Sequence, residues 1–270
     1  MGRPTAALAP EALAGMDLFL GLAPPALAEV AARARLRHLA KNATVFEQGQ
    51  PADRCHALLK GRVRITQSDQ DGAQLVVRFV GPGEMFGTVA LFTDRAYPAE
   101  AVAVTDSIEI SWTEAVLLEL IARHPQIAVN ILKVVGARLR EVQERLRELA
   151  TQRVERRIAH VLLRLAARSG QMAGAATLID FPVTRKDVAE MCGATLHTVS
   201  RVLTAWEKAG LLATDHRRIT IRDPAAIQRI RRGPAGVSCI HRRRLDGALD
   251  DSLLRREFQC HGDAPAAQAQ

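Results

Sequence analysis

The sequence predicts an α+β chain in three consecutive parts: an all-β sandwich or roll with helical ends, one long amphipathic helix, and a helical unit closed by a strand pair. Three observations carry this. Between about residues 39 and 112, apolar side chains alternate with polar ones at Val63/Ile65, Leu75/Val77/Phe79 and Ile108/Ile110/Trp112, as half-buried strands require. Over residues 126–150 the apolar positions fall three and four apart, the spacing of a helix seam. After Thr184 a short helix, Gly193 and a second helix follow in quick succession.

Taken in order, an Ala/Pro-rich leader precedes PPALAEVAARARLR (24–37), which reads as a short helix with Pro near its start. Turn signals then punctuate the strands: Glu47-Gln48-Gly49, Lys60-Gly61, Asp71-Gly72 and Gly81-Pro82-Gly83. From about 113 the pattern turns helical. Leu132, Val135, Leu139, Val142, Leu146 and Leu149 are spaced 3, 4, 3, 4, 3, flanked by Arg138, Arg140, Glu141, Glu144, Arg145 and Arg147. So narrow a seam on so charged a helix predicts a parallel homodimer over about three heptads; packing on its own domain is the alternative. Val154, Ile158, Val161, Leu162 and Leu165 mark another amphipathic helix over 153–168, followed by a polar loop. Thr184 is placed to cap the helix TRKDVAEM, with Asp187 completing a capping-box pattern. Past Gly210, LLATDHRRITIRD reads as two short strands around a basic turn.

Apolar content of 48% marks a soluble globular chain, and the net charge of +8 is unevenly placed. Residues 1–150 carry 17 Lys+Arg and 17 Asp+Glu, residues 151–232 carry 15 and 7, and the last 38 carry 5 and 5. All the excess cation sits in one segment, which points to a polyanion partner for that segment alone. Cys55, Cys192, Cys239 and Cys260 form no C-x-x-C pair, which fits a reducing cytoplasm and argues against a disulfide frame. No apolar run reaches the ~18 residues of a membrane span, and Pro10, Glu11, Asp17, Pro24 and Pro25 interrupt any signal-like stretch. Neither a nucleophile–base set nor a Gly-rich phosphate loop is present by motif, so the sequence implies no enzyme.

On the second helix of the hairpin, Leu196, Val199, Val202, Leu203 and Trp206 gather on one side at 100° per residue. His197, Arg201, Thr204 and Lys208 line the other, with Ser200 at its edge. A short helix, a glycine turn and a helix with a polar outer face make a helix-turn-helix. The local charge, the basic Arg217-Arg218 turn and the dimer helix upstream strengthen that reading. Arg201 is the candidate reader of guanine O6 and N7, with His197 and Ser200 near neighbouring bases and Thr198 and Thr204 as further candidate DNA contacts. Lys208, Arg185 and Arg218 are candidate backbone contacts, and Thr184 is a further DNA-binding candidate.

From about Asp17 to Arg232 the chain resembles the Crp/Fnr superfamily of bacterial transcription regulators. The matching text is LFLGL, LLKGRVRI, PGEMFGTVALF, YPAEAVAVTDS and VTRKDVAEMCGATLHTVSRVLTAWEKAGLL. The resemblance implies a cyclic-nucleotide-binding-like effector roll (17–125), a dimerisation helix (126–150) and a winged helix-turn-helix (151–232) that reads a DNA palindrome, with RNA polymerase as a further partner. It places an effector pocket at Phe86, Gly87, Thr88, Tyr97, Pro98 and Ala99. Members that bind cyclic AMP carry a ribose-binding Glu after the Phe-Gly pair and a phosphate-binding Arg-Ser pair further on. Here those places hold Thr88 and Pro98-Ala99, so the phosphate loses its charge-assisted partner. His197 stands where members commonly carry Glu.

Only Cys55 precedes residue 190, so the iron–sulfur members' cluster is not expected. The run TLHTVSR, with YPA in the loop, most resembles the branch of nitric-oxide-responsive regulators, some of which sense through haem. On that resemblance haem is a candidate cofactor, with His38, His56 and His124 as available ligands, each of which also reads as an ordinary packing or surface histidine. Cys239, His241, Cys260 and His261 fall in a Gly/Pro/Arg/Ala-rich tail (233–270) that reads as disordered and not as a metal site. The competing function is a cyclic-nucleotide-type signalling subunit whose C-terminal half binds a protein.

Overall fold

A computed structural model describes residues 8–233 apart from residues 94, 174 and 175. The expected tail beyond Gly233, with its Cys and His residues, lies outside the described residues. Two 3-10 turns (Pro10–Leu13, Asp17–Phe19) and helix α1 (Pro24–Ala32) precede eight strands: β1 (Arg35–Leu39), β2 (Thr44–Phe46), β3 (Arg54–Lys60), β4 (Val63–Ser68), β5 (Gln74–Val80), β6 (Met85–Phe86), β7 (Glu100–Ala103) and β8 (Ser107–Thr113). A one-turn helix, α2 (Thr88–Leu91), sits between β6 and β7. The strands form two four-stranded sheets, ordered β1-β8-β3-β6 and β2-β7-β4-β5, with antiparallel pairing throughout. This is the all-β roll that the alternation implies.

Two local expectations are corrected. The helix expected over 24–37 ends at Ala32, and Arg35–Leu39 becomes a strand. The Ala/Arg run favours helix by propensity, but pairing with β8, from Arg35 opposite Ser111 to Leu39 opposite Ser107, overrides it. On β5, Leu75, Val77 and Phe79 do not share one buried face. Ile65 pairs with Arg78 and Thr66 with Val76, so Val77 is the extra residue of a bulge. Leu75 is consequently exposed, while Val76 and Phe79 pack into the core of the C-terminal half.

The remaining elements are helices α3 (Glu114–Arg123), α4 (Gln126–Thr151) and α5 (Val154–Ser169), strands β9 (Gly170–Ala173) and β10 (Ala176–Ile179), helices α6 (Arg185–Cys192) and α7 (Leu196–Lys208), strands β11 (Leu212–Asp215) and β12 (Arg218–Ile221), and helix α8 (Pro224–Arg232). What reads as a polar loop after α5 supplies β9 and β10, which extend the β11–β12 pair into a sheet ordered β11-β12-β10-β9. Leu58, Ile110, Trp112, Leu117 and Ile127 belong to one core and Ile158, Leu162, Val188, Val199, Leu203 and Ile219 to another. No single described helix is long and apolar enough to cross a membrane.

Candidate nucleic-acid interface and effector cavity

Helix α6 starts where the sequence places it. The Thr184 side chain accepts from the Asp187 N–H at 3.0 Å, and the Thr184 N–H donates to Asp187 Oδ2 at 2.8 Å, a reciprocal cap that satisfies two orphan donors. Gly193 ends the helix at φ 63°, in the left-handed region. Thr195 then caps α7, accepting from the Thr198 N–H at 3.2 Å. Val199, Val202, Leu203 and Trp206 are buried as expected. Leu196 is the exception, 51% exposed in the first turn of α7.

The outer stripe divides into two groups. His197, Arg201 and Lys208 are exposed and make no intramolecular side-chain hydrogen bond or ion pair among the described residues. Ser200 and Thr204 are half-buried, and Thr198 is held by its 2.9 Å contact with the Thr195 hydroxyl. Arg185 points inward: it donates to Thr204 Oγ1 at 2.9 Å and Ser200 O at 3.3 Å and pairs with Glu207 Oε2 at 3.0 Å. Glu207 also accepts from the Thr214 hydroxyl at 2.6 Å. Arg185 therefore braces α6 against α7, and Glu207 ties α7 to the wing strand β11. Sequence periodicity does not reveal this brace, because its partners lie on three elements.

The β11–β12 hairpin turns through His216 (φ 44°) and Arg217 (φ 65°). Two-residue turns of this kind favour Asn-Gly, since both central residues need positive φ. Holding His-Arg there keeps two nitrogen-rich side chains exposed at the tip, with Arg218 beside them. Strain of this sort concentrates at functional positions.

A cavity of about 420 Å³ lies between the roll, α4 and α5. Phe86, Gly87, Thr88, Tyr97, Pro98 and Ala99 all line it, so the expected pocket residues come together. No cation stands at Pro98-Ala99; the lining cations come from the turn before β4 (Arg62), from β5 (Arg78), from α4 (Arg138 and Arg145) and from α5 (Arg164 and Arg168). The Thr88 hydroxyl oxygen is buried with no hydrogen-bond partner among the described residues. Under the cavity floor, His56 Nδ1 meets Glu109 Oε1 at 2.6 Å and its Nε2 meets the Tyr97 hydroxyl at 3.0 Å. Burial works to raise the Glu109 carboxyl, but the His56 hydrogen bond and the charges of His56 and Arg37 outweigh it and hold the carboxyl below its ordinary range.

The three candidate haem ligands do not fit that role. His38 is exposed on β1, both ring nitrogens of His56 are engaged, and His124 Nε2 pairs with Glu29 at 3.0 Å. None of them lines the cavity. Cys192 is buried, and burial pushes its thiol up, consistent with a packing role.

On α4 the seam residues face solvent: Leu132 is 72% exposed, Leu139 57%, Val142 60% and Leu146 66%, with Val135 and Leu149 at 40%. Such an apolar stripe on a water-facing helix marks an interaction surface. The helix ends at a break before Arg153, where buried Glu148 accepts twice from Arg164 Nη1, at 2.7 and 2.9 Å, and pairs with His160 Nδ1 at 3.0 Å. Burial lowers the His160 imidazole more than the Glu148 carboxylate raises it.

Comparison with known proteins accounts for both halves. Residues 36–124 match the cyclic nucleotide-binding domain family and residues 156–230 the Crp-like helix-turn-helix domain family. The nitrogen fixation regulation protein FixK of Azorhizobium caulinodans is 31% identical over 193 residues, covering 71% of this chain and 77% of that protein. The CRP-like cAMP-activated global transcriptional regulator of Mycobacterium tuberculosis is 29% identical over 219 residues, covering 81% of this chain and 98% of that one. The crystal structure of a CRP-family transcriptional regulator from Thermus thermophilus superposes with a TM-score of 0.60 at 27% identity, over 73% of this chain and 97% of the other.

Proposed function

Because the chain belongs to the Crp/Fnr family of DNA-binding transcription regulators, we propose that it acts as a homodimer that reads a palindromic duplex through α7 and is gated by a small effector held between the roll and α4. The observation that carries this reading is the outer stripe of α7. His197, Arg201 and Lys208 are exposed and, among the described residues, unpaired, on a helix that capping, the Arg185 brace and a buried apolar face fix in place. A rigid helix with uncommitted donors suits the major groove. Arg201 takes guanine, His197 and Ser200 meet adjacent base edges, Lys208 and Arg218 meet phosphates, and the exposed α4 seam pairs two reading helices. Arg185 stabilises this geometry and contributes at most its remaining donors to a phosphate. The site of action is the cytoplasm, with RNA polymerase as the further partner. The cavity lining supports an effector held by guanidinium and apolar contacts over nitric oxide on a histidine-ligated haem.

The test is a pair of substitutions on a palindrome selected from random duplex. Arg201→Ala should cost about 1–3 kcal/mol on the selected site and far less on random DNA. Lys208→Ala should weaken both alike and lower the salt slope by about one. Equal losses on both duplexes for Arg201→Ala would remove the base-reading assignment. Binding with no salt dependence would favour a C-terminal half that docks on a protein.

A further inference from the structure

Resting on the reading of the cavity as an effector site, we infer that its effector is an amphipathic monoanion whose acidic group is received by Arg78 and Arg138. Much of the remaining lining is apolar, Phe46, Phe86, Tyr97 and Val134 among others, and three further arginines there are already committed: Arg62 to Asp180, Arg164 to Glu148 and Arg145 to backbone carbonyls. The polar end is a run of ion pairs. Arg78 on β5 donates to Glu84 Oε2 at 3.0 Å and to Met85 O at 2.6 Å. Glu84 also faces Arg138 on α4 at 3.7 Å; Arg138 donates to Glu141 at 3.0 Å; and Glu141 in turn receives Arg168 on α5.

Three guanidiniums thus share two carboxylates, which leaves one positive charge uncompensated beside a cavity. These side chains are half-buried or, at Arg168, exposed, so an anion that joins the surplus charge is favoured most at the better-covered Arg78 and Arg138. Burial and the facing charge of Arg138 push the Arg78 guanidinium down to about 10, against the opposing pull of Glu84. Charge balance therefore calls for one negative charge on the ligand, and the apolar walls call for a hydrocarbon or aromatic body. Neither cations nor neutral polar molecules meet both demands. The arginines stand on β5 and α4, not at the Pro98-Ala99 position that the sequence leaves without a cation. A planar fork receives carboxylate or phosphodiester oxygens bidentately, so both acids share this chemistry.

The choice of partners has a consequence for regulation. Arg138 already holds Glu141, which holds Arg168 on the first helix of the DNA-binding half. An acid arriving at Arg138 competes with Glu141 for donors, so binding is felt across the domain junction.

The experiment uses the full chain and a matched panel: decanoate, decanol, decylamine, a phenylalkanoate and cyclic AMP, each followed by thermal shift and titration calorimetry. The carboxylates should raise the melting temperature, and decanol and decylamine should not. Cyclic AMP responding in place of the carboxylates would assign the anion as a phosphodiester. Arg138→Gln should weaken the responding acid about tenfold, the loss of one charged hydrogen-bond partner, while Glu141→Gln, which removes the competing carboxylate, should tighten it. Arg138 is half-buried on α4, so its variant keeps a fold that circular dichroism can verify. Equal response to acid, alcohol and amine, no response to any probe, or insensitivity of an acid to both variants would overturn the proposal. DNA affinity is measured separately, so its loss bears on the regulator reading and not on this one.

Discussion

Replacing Leu139 and Leu146 together with Glu tests the assembly that the DNA reading needs. In the protomer the two side chains leave 57% and 66% of their surface in water. In a parallel two-fold seam each residue faces its own copy, so the pair of helices would cover roughly two and a half leucine equivalents, worth about 5 kcal/mol at about 2 kcal/mol per fully buried leucine. That alone raises the dimer dissociation constant by roughly three to four decades. Four glutamates placed face to face add repulsion to the lost burial. Neither leucine is buried within the protomer, so helicity and the protomer core should survive. Sedimentation equilibrium over a wide concentration range should therefore find a folded monomer, and affinity for a full palindrome should fall toward that for a half-site. A variant that sediments as a dimer at the wild-type concentrations would refute the seam. So would one that dissociates only as its circular dichroism collapses, because the leucines would then be holding the chain's own fold.

Three other outcomes follow. Arg64→Ala removes the 3.0 Å pair with buried Asp187 and should cost about 1–2 kcal/mol, seen as a lower first transition in calorimetry if the roll and helix-turn-helix support one another; an unchanged melt counts against that coupling. Burial and the charges of Arg164, Arg231 and Arg156 lower the His160 imidazole against the opposing pull of Glu148, so its folded pKa is below its unfolded value, and the stability it lends is present above the unfolded value of about 6.5 and is lost as pH falls below it. His160→Gln should flatten the melting temperature between about pH 7 and 5, a window above that in which Glu29, Glu109 and Glu141 give up their stabilisation, since their carboxyls are lowered; a profile as steep as the wild type's would contradict this. Gly87→Ala puts a Cβ 3.0 Å from His56, 3.1 Å from Tyr97 and 3.3 Å from Phe46 at φ 73°, and should cost about 1–2 kcal/mol from backbone strain alone; equal unfolding midpoints in urea would show that the loop gives way.

What the sequence made legible was local. The α4 seam, the Thr184–Asp187 box and the Gly193 turn depend on residues within a few positions of one another, and each stands where the spacing puts it. What it hid depends on partners far along the chain. Arg35–Leu39 is a strand because β8 lies 72 residues away in the Arg37–Glu109 pair, and the β5 bulge answers to β4. The β9–β10 pair needs β12 to complete it. On the outer face of α7, exposure was readable from the helical wheel, but the inward turn of Arg185 was not, since Glu207 lies 22 residues on. At the cavity, the Phe86–Ala99 loop was carried by motif, whereas Arg78, Arg138 and Arg168 meet only through the fold. Scattered arginines on three elements leave no spacing to read.

The same distinction explains why α4 is central. Val135, Leu139, Val142, Leu146 and Leu149 form the exposed seam, and the next stripe round, Val134, Arg138, Glu141 and Arg145, lines the cavity, whose edge Val135 and Val142 also reach. The two stripes are displaced by one residue, about 100° on an α-helix, so they are fixed relative to one another by the backbone. At the far end, Arg145 donates to the carbonyls of Val76, Val77, Glu190 and Met191, and Arg157 bridges Leu149 O and Gly193 O. A Cβ on Gly193 would stand 2.7 Å from the Leu149 side chain, so the turn of the helix-turn-helix lies directly on the last seam residue. One helix therefore carries the exposed apolar seam, a wall of the cavity and the seat of the helix-turn-helix. On the proposed reading, a rotation of α4 that re-seats the seam or answers a ligand at Arg138 would turn the other two with it, without a separate transmission pathway.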